Sequence, residues 1–389
     1  MSILLEILFW ACVVGVFASY VGYPLLLLLL LLRGPKRAAG LSETLAAREA
    51  SSLPMLSVII AARNEAARLG AKLDDVLAQD YPADRLQIIV VSDGSTDATA
   101  QLARSHAGGR IECLELEERM GKESAQVRGI RAARGSILVF TDVSTRIGGA
   151  GLKAIAAAFD DPQVGAISSE DRFVTADGQL AGEGLYVRYE MWLRRLESRV
   201  AGLVGLSGSL FAVRRELCDE WPTEVPSDFV VALRCARRGM KAVSLPEVHG
   251  LYPDLKQDSA EFARKRRTAI RGMAGVASAP EVLGFRRFGR FALQVWLHKL
   301  MRWAVPWFML GALLTNAALV GTSGFYAILF GLQVAVYLLA GAAALAPALR
   351  RISLVRIWYF FVLSNLALAA AAVDFLRGRR VVQWEPSVR

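Results

Sequence analysis

Apolar residues are concentrated at the two ends of the chain, whereas the middle consists of short apolar runs separated by polar segments. The first run extends from Ile3 to Leu32. About 20 apolar residues in a helix cross a hydrocarbon layer of ~30 Å, so this run is long enough to span a membrane. A secretory signal peptide is the alternative, but its apolar core is usually only ~7–15 residues long, and no small-residue cleavage site follows here. We therefore predict an uncleaved transmembrane helix over residues 1–33.

The apolar residues near the other end predict about three more transmembrane helices within residues 304–376. The expected spans are Ala304 to Val320, Phe325 to Leu349 and Ile357 to Leu376. Just before them, residues 285–303 mix Arg and Lys with Trp and Phe. This mixture is typical of an amphipathic helix that lies in the membrane interface.

Between these ends, a polar linker (34–53) leads into a globular domain (54–284), and a basic tail (377–389) follows the last span. In the domain, β-branched apolar runs such as "MLSVIIAA", "LQIIVV" and "SILVFT" alternate with amphipathic segments of helical period. Strands that alternate with helices predict an α/β fold with a mainly parallel central sheet.

Polar side chains follow three of the predicted strands at the point where each strand ends. They are Arg63, Asn64 and Glu65 after the first strand, Asp93 after the second, and Asp142 with Ser144 after "ILVFT". Ligands of an open parallel sheet bind outside the carboxyl ends of its strands, so we expect these residues to converge on one crevice. Asn64 and Asp97 also precede helical segments, and simple N-caps are the alternative interpretation for both.

The net charge of +10 changes the expected partners of the domain. The cations lie beside apolar segments, which favours anionic lipid headgroups or a phosphorylated substrate over nucleic acid. The cations that follow the first span, Arg33, Lys36 and Arg37, place the domain in the cytoplasm by the positive-inside rule. The same rule conflicts with the basic "RGRR" segment, which leaves open a different number of spans or a re-entrant last helix. The four scattered cysteines predict neither a disulfide framework nor a zinc site, as in a reducing compartment.

The turn after the first strand contains neither a dinucleotide-binding fingerprint nor a phosphate-binding loop. Any nucleotide must therefore be held by other groups. A strand-end aspartate can hold a divalent cation on a diphosphate, and Lys122 of "RMGKESAQ" can neutralise the remaining charge.

Four segments in a fixed order resemble the successive motifs of family 2 glycosyltransferases. They are "LSVIIAARNEAARL", "IIVVSDGSTDAT", "GKESAQVRGIRAARGSILVFTD" and "SDFVVALRCARRGMKAV". The resemblance runs from about Leu56 to about Trp303. It is to the membrane-bound branch, which is similar to cellulose, hyaluronan and poly-N-acetylglucosamine synthases.

The resemblance implies a GT-A fold that binds a nucleotide sugar, usually a UDP sugar, with Mg²⁺ or Mn²⁺, and transfers the sugar with inversion. The donor-binding residues that it implies are Arg63, Asn64, Glu65, Asp93, Lys122 and Asp142. Asp93 would contact the base, Lys122 the diphosphate, and Asp142 the metal. Asp228 matches the general base, although an acid at the start of a helix could also merely cap it.

The resemblance further implies that Gly208 and Ser209, in a small-residue loop expected before a helix, line the acceptor site. An ordinary tight turn is the alternative. Glu170 and Asp171, at the expected end of another strand, are weaker pocket candidates. Arg267 and Arg271 are candidate diphosphate contacts, and lipid headgroups or a solvated helix face are their alternatives.

Two departures from the family pattern affect these expectations. The metal motif reads Asp142-Val143-Ser144 and lacks its second carboxylate, so a metal would have one charged ligand fewer. The Q-x-x-R-W motif of many processive members is absent where it is expected. The later "KLMRW" lies beside a predicted span and is interpreted as an interfacial anchor or as a chance match.

The leading hypothesis is an inverting glycosyltransferase of the plasma membrane with a cytosolic catalytic domain. Its acceptor would be a glycan or a lipid-linked molecule, in exopolysaccharide or cell-envelope synthesis. The alternative is a non-catalytic membrane subunit of a synthase or export complex that retains the nucleotide-sugar fold. So few spans leave partner subunits or self-association open. A transporter is disfavoured, because Asp374, near an end, is the sole ionisable residue deep in the later spans.

Overall fold

The computed structural model describes residues 2–32, 53–106, 110–149, 151–174, 185–253 and 258–379. Residues 33–52 of the predicted linker and its flanking cations, and residues 380–389 of the predicted tail, lie outside the described residues. The chain divides into two compact units. The first comprises Met1–Leu26, Lys256–Ala274 and Leu293–Arg380, and the second comprises Leu27–Leu255, Gly275–Ala292 and Val381–Arg389.

The helices and strands of the described residues are numbered in chain order. The α-helices are α1 (Ser2–Phe17), α2 (Tyr23–Leu32), α3 (Ala66–Leu77), α4 (Thr99–Ser105), α5 (Lys122–Ala132), α6 (Gly151–Ala158), α7 (Leu185–Val200), α8 (Ser227–Arg237), α9 (Asp258–Ala277), α10 (Phe285–Gln294), α11 (Met301–Leu319), α12 (Gly324–Leu345) and α13 (Ser353–Leu376). The strands are β1 (Leu56–Ala62), β2 (Leu86–Asp93), β3 (Ile111–Leu116), β4 (Ile137–Asp142), β5 (Arg146–Gly149), β6 (Val164–Val174), β7 (Leu210–Arg214) and β8 (Lys241–Pro253).

The second unit is built on one eight-stranded sheet with the order β3-β2-β1-β4-β7-β6-β8-β5. The strands β3, β2, β1 and β4 are parallel neighbours. Strand β7 runs antiparallel to both β4 and β6, β6 is parallel to β8, and β5 is antiparallel to β8. The predicted α/β fold with a mainly parallel central sheet is confirmed.

Both faces of the sheet are covered, which explains the continuous apolar runs in the sequence. On one face, Val58 and Ile60 of β1 lie in the same core cluster as Leu73 of α3. Ile59 belongs to the cluster on the other face, because successive strand residues point to opposite sides. In that second cluster Phe140 stacks on Phe211 and on Trp221, with ring centroids 4.9 Å and 4.7 Å apart.

The strand register brings the carboxyl ends of the parallel strands to one edge. Ala62 of β1 pairs with Ser92 of β2, and Ala61 pairs with Asp142 of β4. The loops that follow these strands therefore start side by side. This is the edge at which a parallel sheet presents ligand-binding residues.

Two local predictions were wrong. The segment after the small-residue loop is strand β7, not a helix, because all but its last residue are buried and it pairs with β4 and β6. Glu170 and Asp171 do not end a strand, because β6 continues to Val174 and pairs these residues with His249 and Gly250 of β8.

Three helical segments of the described chain are long and apolar enough to cross a membrane: Ser2–Leu32, Gly324–Leu345 and Ser353–Leu376. They correspond to three of the four expected spans and are consistent with a membrane protein. The fourth expected span coincides with α11, which falls outside this set. Helix α11 contains the buried polar residues Arg302 and Asn316.

The cations of α9 make contacts within the first unit. The Arg266 guanidinium lies 2.6 Å (Nε–Oδ2) from Asp374, which is buried in α13, and Lys265 Nζ donates to Ser364 Oγ at 2.6 Å. The buried acid near the end of α13 therefore belongs to an ion pair. Arg267 and Arg271 lie on the same helix, and their assignment to the diphosphate stays a prediction.

Gly135, in the turn between α5 and β4, is the position where an added methyl group should destabilise the domain. A Cβ there would lie 2.6 Å from the backbone nitrogen of Ser57 and 2.8 Å from the carbonyl carbon of Leu56. We expect Gly135→Ala to cost about 1–3 kcal/mol of unfolding free energy through overpacking, measured by denaturation of the purified protein. Gly70→Ala is the control, because its nearest neighbours are 3.9 Å and 4.0 Å away. Equal stability of the two variants would contradict this account.

Candidate active site

The loops that follow β1 and β2 are held together by hydrogen bonds. The side-chain oxygen of Asn64 accepts a hydrogen bond from the backbone amide of Thr96 at 2.8 Å, and the backbone amide of Asn64 donates to Ser95 Oγ at 3.2 Å. The amide of Glu65 donates to Thr99 Oγ1 at 2.8 Å. Asn64 therefore fastens the neighbouring loop rather than capping its own helix.

Asp97 acts as the cap that the sequence suggested, and it does so for two helices. Its Oδ1 accepts from the amide of Thr99, the first residue of α4, at 3.0 Å. Its Oδ2 accepts from the amide of Ala66, the first residue of α3, at 3.1 Å. Burial raises the pKa of this carboxyl, but the hydrogen bonds from Thr99 and Ala66 outweigh that effect and lower the pKa overall.

Asp93 and Gly94 hold a third loop at the same edge. The two carboxylate oxygens of Asp93 accept from the amides of Met120 and Gly121 at 2.7 Å and 2.9 Å. Gly94 has a φ of 57°, and a Cβ there would lie 2.6 Å from the backbone nitrogen of Arg119. A glycine is therefore required where the loop before α5 crosses the end of β2.

Lys122, the first residue of α5, connects the end of β4 with the loop before β7. Its ammonium lies 2.5 Å from Asp142 Oδ1 and donates to the carbonyl oxygen of Gly208 at 2.8 Å. The backbone amide of Asp142 also donates to the carbonyl oxygen of Ser209 at 2.9 Å. Asp142, Lys122 and Gly208 therefore form one contiguous group.

Asp228 lies in the first turn of α8, directly beside this group. A Cβ on Gly208 would lie only 2.9 Å from Asp228 Oδ2, so the carboxylate packs against the bare backbone of the glycine. The backbone carbonyl of Asp228 accepts from the amide of Leu206 at 3.1 Å. Among the described residues the Asp228 carboxylate has no hydrogen bond or ion pair, so it does not cap its helix.

Gln126 fixes the start of α8 from the same helix that carries Lys122. Its side-chain oxygen accepts from Ser227 Oγ at 2.8 Å and from Trp221 Nε1 at 3.1 Å. Lys122 and Gln126 are four residues apart, so they lie on one face of α5. Through this face α5 places the Lys122 ammonium beside Asp142 and holds Ser227, the residue before Asp228.

Polar side chains of β6 make hydrogen bonds to the loop before β7. The hydroxyls of Ser207 and Ser209 both donate to Asp171 Oδ1, at 2.5 Å and 3.2 Å. The amide of Ser207 donates to Ser168 Oγ at 2.7 Å. The predicted acceptor contact Ser209 therefore uses its hydroxyl inside the protein.

Glu170, the other weak pocket candidate, is buried and pairs with Arg195 of α7. Its two oxygens accept from the Arg195 guanidinium at 2.5 Å and 2.6 Å. This bidentate pair joins β6 to α7 and uses both carboxylate oxygens of Glu170 within the protein.

Glu65 is a second acid near Asp142. Burial raises the pKa of the Glu65 carboxyl, the adjacent Arg68 lowers it, and the negative charges of Asp142 and Asp97 raise it further. The net result is a raised pKa. Asp142 is therefore close enough for its negative charge to affect the ionisation of Glu65.

Lys72 is a buried cation beneath the loop that carries Asp142. Its ammonium donates to the carbonyl oxygen of Thr145 at 2.5 Å and pairs with Asp75 Oδ2 at 3.3 Å. Asp75 Oδ2 also accepts from the amide of Ile147 at 3.0 Å. Helix α3 thus clamps the Asp142 loop with two charged side chains.

The residues fit a divalent cation only in company with a diphosphate. Within the described residues no three His, Cys, Asp or Glu side chains are grouped so that they could hold a metal. Mg²⁺, however, is commonly held by one or two carboxylates together with substrate phosphates. Asp142 supplies one carboxylate, and Ser144 stands where a second acid is expected.

The structure thus brings together most of the residues predicted from the sequence. They are Asn64, Glu65, Asp93, Lys122, Asp142, Gly208, Ser209 and Asp228. Arg63 follows β1 directly, and its buried Nε has no hydrogen-bond partner among the described residues. Their roles toward a ligand stay predictions.

Lys72 and Gln126 were missed by sequence reasoning, although a signal was present. Lys72 lies three residues after Leu69 and four before Val76, which are both on the buried face of α3. Gln126 likewise adjoins the buried Ala125. A polar residue at a helix position with apolar periodicity indicates a buried polar contact.

A family model described as glycosyl transferase family 2 matches residues 57–221. This segment is therefore similar to family 2 glycosyltransferases. The match includes the strand-end loops, Lys122, Asp142 and Gly208, and it ends before Asp228. It supports the interpretation of this domain as a sugar-transferring enzyme.

Relatives and a solved structure support the assignment of the glycosyltransferase domain. An N-acetylglucosaminyltransferase of Rhizobium sp. is 30% identical over 203 residues, and a beta-monoglucosyldiacylglycerol synthase of Nostoc sp. is 25% identical over 191. These matches cover 45% and 46% of this chain, and 42% and 40% of the relatives. The chain spans less than half the length of the curated relatives that it matches.

The structure of a mannosyltransferase from Pyrobaculum calidifontis in complex with GDP-Man and Mn²⁺ is 25% identical, with a TM-score of 0.73. This match covers 97% of the present chain and 100% of the mannosyltransferase chain. The GT-A fold expected from the sequence is confirmed.

Lys72 should make the stability of the glycosyltransferase domain depend on pH. Burial lowers its pKa from 10.5 to about 8, although Asp75 and Asp142 partly oppose this. Between these values the unfolded chain holds a proton that the folded chain has lost, so unfolding free energy should rise with pH. Below about pH 8 both states are protonated, and the full cost of burying the charge remains.

Denaturation of wild type and Lys72→Met at a series of pH values measures this effect. As pH rises from about 8 to 10.5, the unfolding free energy of wild type should increase relative to that of Lys72→Met. Parallel stability curves would show that the Lys72 ammonium keeps its ordinary proton affinity in the folded protein.

Proposed function

We propose that this protein is a membrane-bound inverting glycosyltransferase that moves a sugar from a nucleotide-sugar donor to a glycan or lipid-linked acceptor. The observation that carries the proposal is the contact at Gly208. Its carbonyl holds Lys122, which pairs with Asp142, and its bare Cα lies against the Asp228 carboxylate. A group suited to a diphosphate and a group suited to a general base thus meet at one residue.

The donor would lie along the strand-end edge. We assign the diphosphate to Lys122, because an ammonium binds phosphate oxygens strongly as a charge-assisted donor. We assign the nucleoside to the surface around Arg63, Asn64, Glu65 and Asp93. A divalent cation at Asp142 would, when bound, supply further positive charge against the diphosphate.

Asp228 would act as the base. A carboxylate that has no hydrogen bond or ion pair with the described residues, and that lies beside the Lys122–Asp142 pair, is placed to accept a proton from an acceptor hydroxyl. The carboxylate would take the proton of the acceptor hydroxyl while that oxygen bonds to the anomeric carbon and the nucleoside diphosphate departs. Lys122 would stabilise the charge that develops on the departing diphosphate.

The donor that we propose is a UDP sugar, and GDP-mannose is the other donor to test, since the mannosyltransferase structure contains GDP-Man. The relatives act in N-acetylglucosamine transfer and in glycolipid synthesis by their names, which supports a glycan or lipid-linked acceptor. We place the domain on the cytosolic side of the plasma membrane, where nucleotide sugars are made. Synthesis of an exopolysaccharide or cell-envelope glycan suits this location, with partner subunits or self-association to move a polymer outward.

The first test of this function is Asp228→Asn in the purified full-length protein. Removal of the base should lower turnover by roughly 10²-fold or more, while the nucleoside diphosphate binds as in wild type. Turnover is measured with radiolabelled UDP sugars and GDP-mannose, and binding by calorimetry.

Ser227→Ala is the matched control for this variant. It removes a neighbouring hydroxyl that bonds Gln126 but keeps the carboxylate, so its turnover should fall much less. Normal turnover in Asp228→Asn would show that the base is another residue. If wild type binds the nucleotide and transfers no sugar from any donor, the chain is the non-catalytic subunit considered above.

Gly208→Ala tests the contact that brings the two halves of the site together. The added methyl group would press on Asp228 Oδ2 and Cγ, at 2.9 Å and 3.3 Å, and displace the carboxylate. We expect kcat to fall roughly tenfold or more while KM for the donor changes little, because misplacing a reactive group by about 1 Å can cost ~10²-fold. Gly70→Ala should keep normal kinetics, and equal kcat in the two variants would argue against the contact.

A further inference from the structure

The carboxylate expected to bind a metal already has a cation. Lys122 Nζ lies 2.5 Å from Asp142 Oδ1, and both side chains are largely buried. The same ammonium donates a hydrogen bond to the carbonyl oxygen of Gly208, and this second contact fixes its position beside Asp142. A metal ion that approached Asp142 in this state would meet a positive charge.

A second lysine strengthens this effect. Lys72, buried beneath the loop that carries Asp142, adds positive charge there, and its ammonium donates to the carbonyl oxygen of Thr145 at 2.5 Å. Glu65 offers a nearby negative charge, but Arg68 pairs with it at 3.0 Å. Before any ligand binds, Asp142 is thus paired with Lys122, and Glu65 is paired with Arg68.

The absence of a second acid in the motif Asp142-Val143-Ser144 also disfavours binding of a metal ion to the protein alone. With Ser144 in that position, Asp142 is the one carboxylate that the motif supplies. A hard cation such as Mg²⁺ or Mn²⁺ needs several oxygen ligands, and the described residues contain no group of three His, Cys, Asp or Glu side chains that could hold it. The diphosphate of a donor would contribute both further oxygens and a competing anion for the Lys122 ammonium.

We propose that the divalent cation enters this site only together with the nucleoside diphosphate, because Lys122 occupies Asp142 until the diphosphate draws the ammonium away. The inference rests on the proposed function. It assigns Lys122 two successive partners, Asp142 without donor and the diphosphate with donor. The cation takes the position beside Asp142 that the ammonium leaves.

The test measures binding of Mn²⁺ to the purified full-length protein by equilibrium dialysis, with and without UDP or GDP. We expect no saturable binding of Mn²⁺ alone at this site and one bound ion when the accepted nucleotide is present. By reciprocity Mn²⁺ should tighten nucleotide binding by the same factor, of roughly tenfold or more.

Two variants distinguish this account from a purely structural role of Lys122. Lys122→Met frees Asp142, so binding of Mn²⁺ alone should strengthen while binding of the nucleotide weakens. Ser144→Asp restores the second acid and should also bind Mn²⁺ without nucleotide. Ser144→Asn is its control, since it has the same size without the charge. A structural defect would weaken both ligands, and circular dichroism confirms that each variant is folded.

The outcomes separate this inference from the proposed function. Saturable binding of Mn²⁺ alone to wild type, as tight as with nucleotide, would overturn the inference and leave the function standing. Unchanged Mn²⁺ binding in both Lys122→Met and Ser144→Asp would also overturn it. Failure of every nucleotide to bind, with or without Mn²⁺, would instead reject the proposed function.

Discussion

One ammonium group, that of Lys122, holds the candidate site together. It joins α5 to the end of β4 and to the loop before β7, three segments that are remote along the chain. Since the Asp228 carboxylate packs on the same glycine that Lys122 binds, the Lys122 ammonium and the Asp228 carboxylate are positioned relative to each other through Gly208. Gln126, one turn further along α5, holds the start of α8 and completes the same arrangement.

The polar residues at the strand ends make hydrogen bonds within the protein that do not depend on a ligand. Asp93 and Asn64 use their oxygens to bind backbone amides of neighbouring loops, and Asp97 caps two helices. Buried amides at such an edge need partners, because an unsatisfied group costs about 1–3 kcal/mol. Carboxylates have lone pairs to spare, so the same acids that rigidify the loops remain able to accept bonds from a ligand. Rigid loops in turn keep the surface prepared for binding.

Much of this arrangement is predictable from the sequence, for physical reasons. Strands β1, β2 and β4 are apolar on both faces, and each begins and ends within two residues of its prediction. The polar residues that follow them could be placed at one edge by topology alone. The identity of β7 was missed, since a four-residue apolar run (Leu210 to Val213) does not distinguish strand from helix. The Gly208–Asp228 contact depends on how strand β7 and the turns after it bring the chain back over twenty residues, and no periodicity encodes that.

The surface that Gly208 presents to the Asp228 carboxylate is main chain. Gly208 has no side chain, and the hydroxyls of Ser207 and Ser209 are bonded to Asp171 instead. A surface of this kind carries little chemical information about the molecule that approaches it. With Asp228 as the proposed base, selection of the acceptor falls to more distant parts of the chain. Those parts can then differ without any change at the carboxylate or at the glycine against which it packs.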